Sequence, residues 1–222
     1  MRASLRCPLD RARVSLITMD TQTHSRVGIL GTLSDLHQQP ITYDLACLKA
    51  LVADLAPDIL CAEITREAWE RGDLSDGAME VGQALASVVA ATDIVLVPIA
   101  TSKMQFGDIT AGSGLRQGLV RASHSLLRFG QLKADTPRAV NGMLFGTFCH
   151  AVCSLVEMSW SRNDRAAWMV QNRAMAENIL DAVRRDPGRR VLVAMRCQRT
   201  HVIEPLLRRH PELLELVEYW EV

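Results

Sequence analysis

One carboxylate stands where a carboxylate is expensive. Glu63 sits within the run "DILCAEI" (residues 58–64), which otherwise suits the interior of a sheet. An acid at the end of a buried strand must be hydrogen-bonded, paired with a cation, bound to a metal or protonated. It is then either satisfied by loop amides or by Arg66, or it is a general base or metal ligand with a shifted pKa. His37 and His201 each follow an apolar run by several residues. Singly, each is equally well a surface histidine. With Glu63 they make one carboxylate and two imidazoles, a set that can hold a divalent ion and activate water, or act as acid and base without metal. Such an N/O ligand set suits zinc, manganese or cobalt.

Other polar groups cluster nearby in the pattern. In "GILGTLSDLH" (residues 28–37) the apolar run stops at Gly31-Thr32, and Ser34, Asp35 and His37 follow within six residues. That turn is a helix cap, a solvated loop or the wall of a site. Between 142 and 161, Thr147, His150, Ser154, Glu157 and Ser161 recur at helical steps opposite Leu144, Phe145, Phe148, Cys149, Val152, Leu155 and Val156. The polar stripe is either a solvent face or the lining of a pocket carrying His150 and Glu157. The glycines of "DITAGSGLRQG" (residues 108–118) lack the Gly-Lys-Ser/Thr of a phosphate loop, and only Gly31 follows the first strand, so a dinucleotide fingerprint is missing. There is no Gly-x-Ser-x-Gly nucleophile elbow. Six scattered cysteines without a CxxC read as reduced thiols, with no second pair to complete a zinc site beside Cys149 and Cys153.

The elements that must position these groups follow from periodicity. Strands are expected at 26–32, 58–64, 93–99, 189–195 and 214–220, and helices at 43–55, 78–91 and 202–209. Near-continuous apolar strands separated by helices indicate a mostly parallel sheet covered on both faces. Between the third and fourth strands the alternation lapses. Three helices are expected there, at 115–132, 137–161 and 164–185, as a helical insertion spanning 112–186. Residues 23–222 then form a single α/β domain, preceded by a poorly ordered arm at 1–22, with Met19 as an alternative start. In open α/β sheets, sites lie beyond the carboxyl ends of the strands.

The order of four segments resembles the TraB/PrgY/GumN family and its wider clan of Tiki-type proteases, ChaN haem-binding proteins and erythromycin-esterase-like enzymes. "ILGTLSDLH" resembles the family's first strand and Gly-Thr-x-His turn, and "LKALVADLAPDILCAEI" its helix, Pro-Asp and "vEl" strand, with Glu63 as the family glutamate. "VQNRAMAENILDAV" (residues 170–183) resembles its late "RNxxMAxxI" helix, and "RRVLVAMRCQRTHVIEPLLRR" (residues 189–209) its last strand, turn and helix. Ser34 and Gln198 stand at the two expected histidines, with His37 and His201 each three residues further on. Gln171 stands at the arginine of "RN", leaving Asn172 matched and Arg173 displaced.

The resemblance implies a hydrolase of ester, amide or peptide bonds, with Glu63, His37 and His201 at its centre and Arg66 or Arg173 stabilising negative charge. Ser34, Asp35, His150, Glu157 and Asn172 would line the substrate. Two alternatives are a pathway-specific, biosynthetic enzyme with altered chemistry, and a non-enzymatic protein binding haem through His37 or Tyr43. Arginine and lysine number 25 against 25 acids, so a general attraction to nucleic acid or anionic membrane is not expected. No apolar run approaches the ~20 residues of a membrane span. A cytoplasmic protein acting on a small molecule or peptide is expected, with a homodimer through a sheet edge or helix face left open.

Overall fold

Five strands pair in parallel: β1 (Ser25–Thr32), β2 (Ile59–Thr65), β3 (Val95–Ala100), β4 (Arg190–Arg196) and β5 (Leu214–Val217), in the order β3-β2-β4-β1-β5. The computed structural model describes residues 24–102, 106 and 114–222. The expected arm at 1–22, and most of the glycine-rich stretch with the start of the expected insertion, lie outside these residues. The late strand β4 slots between β1 and β2, so the sheet begun by the first half of the chain is completed by the second. Alternation along the strands separates two cores. Leu30, Leu60, Ala62, Leu192 and Ala194 point to one face, and Val27, Cys61, Val191, Val193 and Met195 to the other.

Both faces are covered by helices, which is why the strands are apolar throughout. On the first face lie α1 (Leu45–Leu55), a π-helical turn (Val81–Leu85) running into α3 (Ala86–Ala91), α4 (Leu115–Lys133) and α6 (Met143–Ser159). On the second lie α7 (Arg162–Arg185) and α8 (Cys197–Leu207). Short α2 (Arg66–Arg71) is capped by the Thr65 hydroxyl, and α5 (Pro137–Val140) by Thr136.

Three expectations need correction. The helix expected over 137–161 breaks at Asn141 and Gly142, where Gly142 is extended and begins α6. The helices between β3 and β4 are therefore four among the described residues, and they sandwich the sheet from both faces. The helix expected at 202–209 starts directly after β4, at Cys197. The strand expected over 214–220 stops at Val217. A 3-10 turn (Tyr219–Glu221) follows, closed by reciprocal bonds between Glu218 and Glu221, and it lies against Gly28, whose missing Cβ makes room for Tyr219.

Candidate functional site

The carboxyl ends of β2, β4 and β1 lie side by side, and Glu63 stands on the β2 side of that edge, next to β4. β2 and β4 pair in register up to Ala62 and Ala194, which sets Glu63 beside the end of β4. The β2–β3 register shifts between Ala62 and Thr65, an irregularity of the kind that re-aims a side chain. Glu63 is 4% exposed. Its Oε1 accepts from Arg196 Nη1 at 2.9 Å and from Arg199 Nε at 2.8 Å, and its Oε2 accepts from the Arg196 backbone N–H at 3.1 Å. Burial pushes this carboxyl up, but the Arg199 and Arg196 guanidiniums and the backbone donor outweigh it and hold it below the usual carboxylate range.

The clamp is itself supported. Arg199, 1% exposed, donates Nη1 to Asn172 Oδ1 at 2.9 Å and Nη2 to Gln171 Oε1 at 3.3 Å, and lies over the Trp168 ring at 4.3 Å. Asn172 donates to the Trp168 carbonyl, and Gln171 reaches the Ser102 carbonyl and hydroxyl. Arg196 Nε contacts the Ser34 hydroxyl at 3.4 Å. Ser34 has a left-handed backbone, φ 55°, and its N–H donates to buried Glu80 at 2.7 Å. A non-glycine residue held there is strained and is fixed by these contacts. Of the residues singled out in the sequence, Ser34, Glu63 and Asn172 are thus brought together, linked through Arg196 and Arg199. Arg196, Arg199, Gln171 and Glu80 complete the cluster.

The two imidazoles do not join it. His37 lies in a 3-10 turn (Ser34–Gln38) and folds inward. Its Nε2 accepts from the Leu33 N–H at 2.9 Å, and its Nδ1 donates to the Tyr43 carbonyl at 2.6 Å. Both ring nitrogens are committed to backbone. His201 sits in the first turns of α8, two residues beyond Arg199. At about 100° per residue the two side chains leave the helix on nearly opposite sides. Arg199 faces Glu63, and His201 faces α6, with Nε2 3.2 Å from Glu157 Oε1. Among the described residues no three His, Cys, Asp or Glu side chains are grouped to hold a metal ion, so the zinc, manganese or cobalt site expected on Glu63, His37 and His201 does not fit. Haem on His37 or Tyr43 does not fit either, since the buried Tyr43 hydroxyl donates to the Gly31 carbonyl at 3.2 Å and His37 is fully engaged.

Three further candidates stay outside. Arg66 is exposed at the start of α2, Arg173 is exposed on α7, and exposed Asp35 pairs with Arg128 at 2.9 Å. His201, Glu157 and His150 form a second group. The His150 and His201 rings stack with centroids 5.0 Å apart and planes 24° apart. His201 Nδ1 is buried without a hydrogen-bond partner. Both imidazoles line a cleft of about 720 Å³ bounded by Gly31 at the end of β1, the start of α6, one side of α8 and the C-terminal 3-10 turn. Asn141 ties its floor to β1, accepting from the Gly31 N–H at 2.6 Å. The α6 N-terminus at Gly142 and Met143 opens on the same cleft and carries no side-chain cap.

No family model, curated protein or solved structure matches this chain. No helix among the described residues is long and apolar enough to cross a membrane.

Proposed function

We propose that this chain hydrolyses an ester, amide or peptide bond of a small substrate or peptide held in the cleft between α6 and α8, without a metal, using His201 in place of the expected Glu63 centre. The observation that carries the reading is the His201–Glu157 hydrogen bond beneath a stacked, solvent-facing His150, in the large cleft at the carboxyl edge of the sheet. A base oriented by a carboxylate is the recurring arrangement for taking a proton from water or from a nucleophile. With Glu157 accepting the Nε2 proton, the Nδ1 lone pair is the basic site, a tautomer assigned from the hydrogen bonds; it is buried, so in this reading the stacked His150 ring must shift to admit substrate to it. His150 is placed to return a proton to the leaving group. The uncapped amides that begin α6 suit the developing oxyanion.

Glu63 has a different part in this reading. With both carboxylate oxygens filled by arginine donors, it holds the strand ends together and transfers no proton. This agrees with the departures from the TraB/PrgY/GumN pattern. Ser34 replaces the first expected histidine, and Arg199 brings to the cluster a cation that Gln171 no longer supplies. The same departures favour a second reading, a pathway-specific enzyme whose chemistry has changed.

The test is turnover of short-chain p-nitrophenyl esters and a fluorogenic peptide panel by the metal-stripped full chain. Wild-type hydrolysis is expected to fall about 10²–10⁴-fold in His201→Asn and less in Glu157→Gln. Equal turnover in His201→Asn, or none by the wild type on any substrate, removes the hydrolase reading.

A further inference from the structure

We infer that the outer face of α4 and α6 is an interface with a second copy of this chain, closing as a four-helix arrangement. On α4, Leu119, Ala122, Leu126 and Phe129 follow one another at steps of three, four and three. On α6, Leu144, Phe148, Ala151, Leu155 and Met158 follow at four, three, four and three. This is the spacing that faces another helix with interlocking side chains. The buried stripe of α4 is a different one, running through Val120, Ser123, Leu127 and Gln131. So α4 carries two seams, one spent on the domain and one left outward. Eight of the eleven exposed large hydrophobic residues among the described ones lie on these two helices.

The helices form a tight antiparallel hairpin. Gly130 takes the Phe148 ring where any Cβ would collide, and a groove of about 670 Å³ lies between the C-terminal half of α4 and the start of α6. Leu144 is 86% exposed and Met158 73% exposed at opposite ends of α6. At about 200 Å² for a fully exposed large side chain, the six of the eight that lie on the two seams (Leu119, Leu126, Phe129, Leu144, Leu155 and Met158) present roughly 700 Å² of surface. That exceeds what a monomer ordinarily leaves open and approaches the ~800 Å² per partner of a standard interface.

A two-helix face of this size is half of a four-helix bundle, and a twofold axis through its middle supplies the other half. Among the described residues, the charged ones lining the groove, Lys133 and Arg138, are both basic and lie toward one end. A twofold across a helix about 28 Å long sends the two copies of this pair to opposite ends, so like charges do not meet.

The experiment is sedimentation and light scattering of the full chain from about 1 to about 100 µM. A species near 49 kDa, twice the 24.6 kDa chain, is expected. Leu144→Glu combined with Met158→Glu should be a monomer with unchanged circular dichroism and thermal unfolding measured at low concentration, because both side chains already face solvent. Val170→Asp, on exposed α7 surface, should leave the dimer intact. A wild-type monomer throughout the range overturns the inference, and so does a double variant that stays dimeric, which would place the contact on a sheet edge. These results do not depend on turnover, so the interface and the hydrolase reading fail separately.

Discussion

Replacing Glu63 with Gln is the sharpest test of what the clamp does. The substitution keeps shape and one acceptor oxygen but turns the other into an amide donor facing guanidinium donors. Arg196 and Arg199, 8% and 1% exposed, then lack their counter-charge in a site water scarcely reaches. Removing one partner of a buried ion pair costs about 3–5 kcal/mol, because the remaining charge is left uncompensated. For a domain of this size, at ~2–4 °C per kcal/mol, the melting midpoint should fall by about 6–20 °C at pH 7. The pH dependence carries a sign. The folded Glu63 carboxyl lies below its ordinary value, so its contribution is complete above an unfolded pKa of ~4.3 and is lost as pH falls through the lower folded value. The gap between wild type and Glu63→Gln should therefore narrow below about pH 4. Urea unfolding at steps of pH reads both quantities. A variant within about 1 kcal/mol of wild type at pH 7, or a gap that does not shrink in acid, refutes the claim that the clamp stabilises the fold.

The remaining predictions concern packing and access. Burial pushes the Cys61 thiol up to about 12, while hydrogen bonding to Cys153 and burial raise the Cys149 thiol and hydrogen bonding to Cys149 and burial raise that of Cys197. Mass mapping after brief iodoacetamide treatment of the native protein at pH 8 should find these three unmodified and half-buried Cys47 labelled. Labelling of Cys61 at the rate of Cys47 would contradict the packing. Gly28→Ala would set a methyl against Val222 and within 2.8 Å of Tyr219 Cα, so the C-terminal turn must move. A loss of roughly 1–3 kcal/mol in urea, with faster amide exchange over residues 219–222, is expected, and unchanged exchange would refute the close contact.

The strands were legible because a parallel sheet covered on both faces makes each strand an apolar run, and four of the five lie within two residues of where periodicity puts them. The fifth was overextended. Leu214–Trp220 alternates well enough, but the reciprocal Glu218–Glu221 bonds turn the chain after Val217. Glu63 was legible for the same reason as the strands, since an acid in an apolar run needs an explanation. Its partners were not. Arg66 is nearest in sequence, while Arg196 and Arg199 lie 133 and 136 residues away and reach Glu63 only through the β2–β4 pairing. The sequence shows Arg196 directly after an apolar run and Arg199 three residues further on. A search for the cation that a buried acid demands would have found them.

His37 was misplaced because its 3-10 turn folds it onto the Leu33 and Tyr43 backbone, and His201 by the absence of any loop between β4 and α8. With the helix beginning at Cys197, residues 199 and 201 leave on opposite sides, and α8 becomes the partition between two polar groups. On one side the Glu63 carboxylate is filled by arginine donors and the Gln171 and Asn172 amides by Arg199, Ser102 and the Trp168 carbonyl, with Glu80 Oε2 left unpaired. The other side has an imidazole with a vacant nitrogen, a second imidazole stacked on it, and open volume. Catalysis needs groups whose hydrogen-bonding capacity is not already spent, and this is why the proposed chemistry is assigned to the second side, which has both a titratable base and open volume. α6 carries His150 and Glu157 toward that cleft and Leu144, Leu155 and Met158 toward the outer face. A partner docking on that face would steady the same helix that orients His201, which ties assembly to the geometry of the cleft without covering its imidazoles.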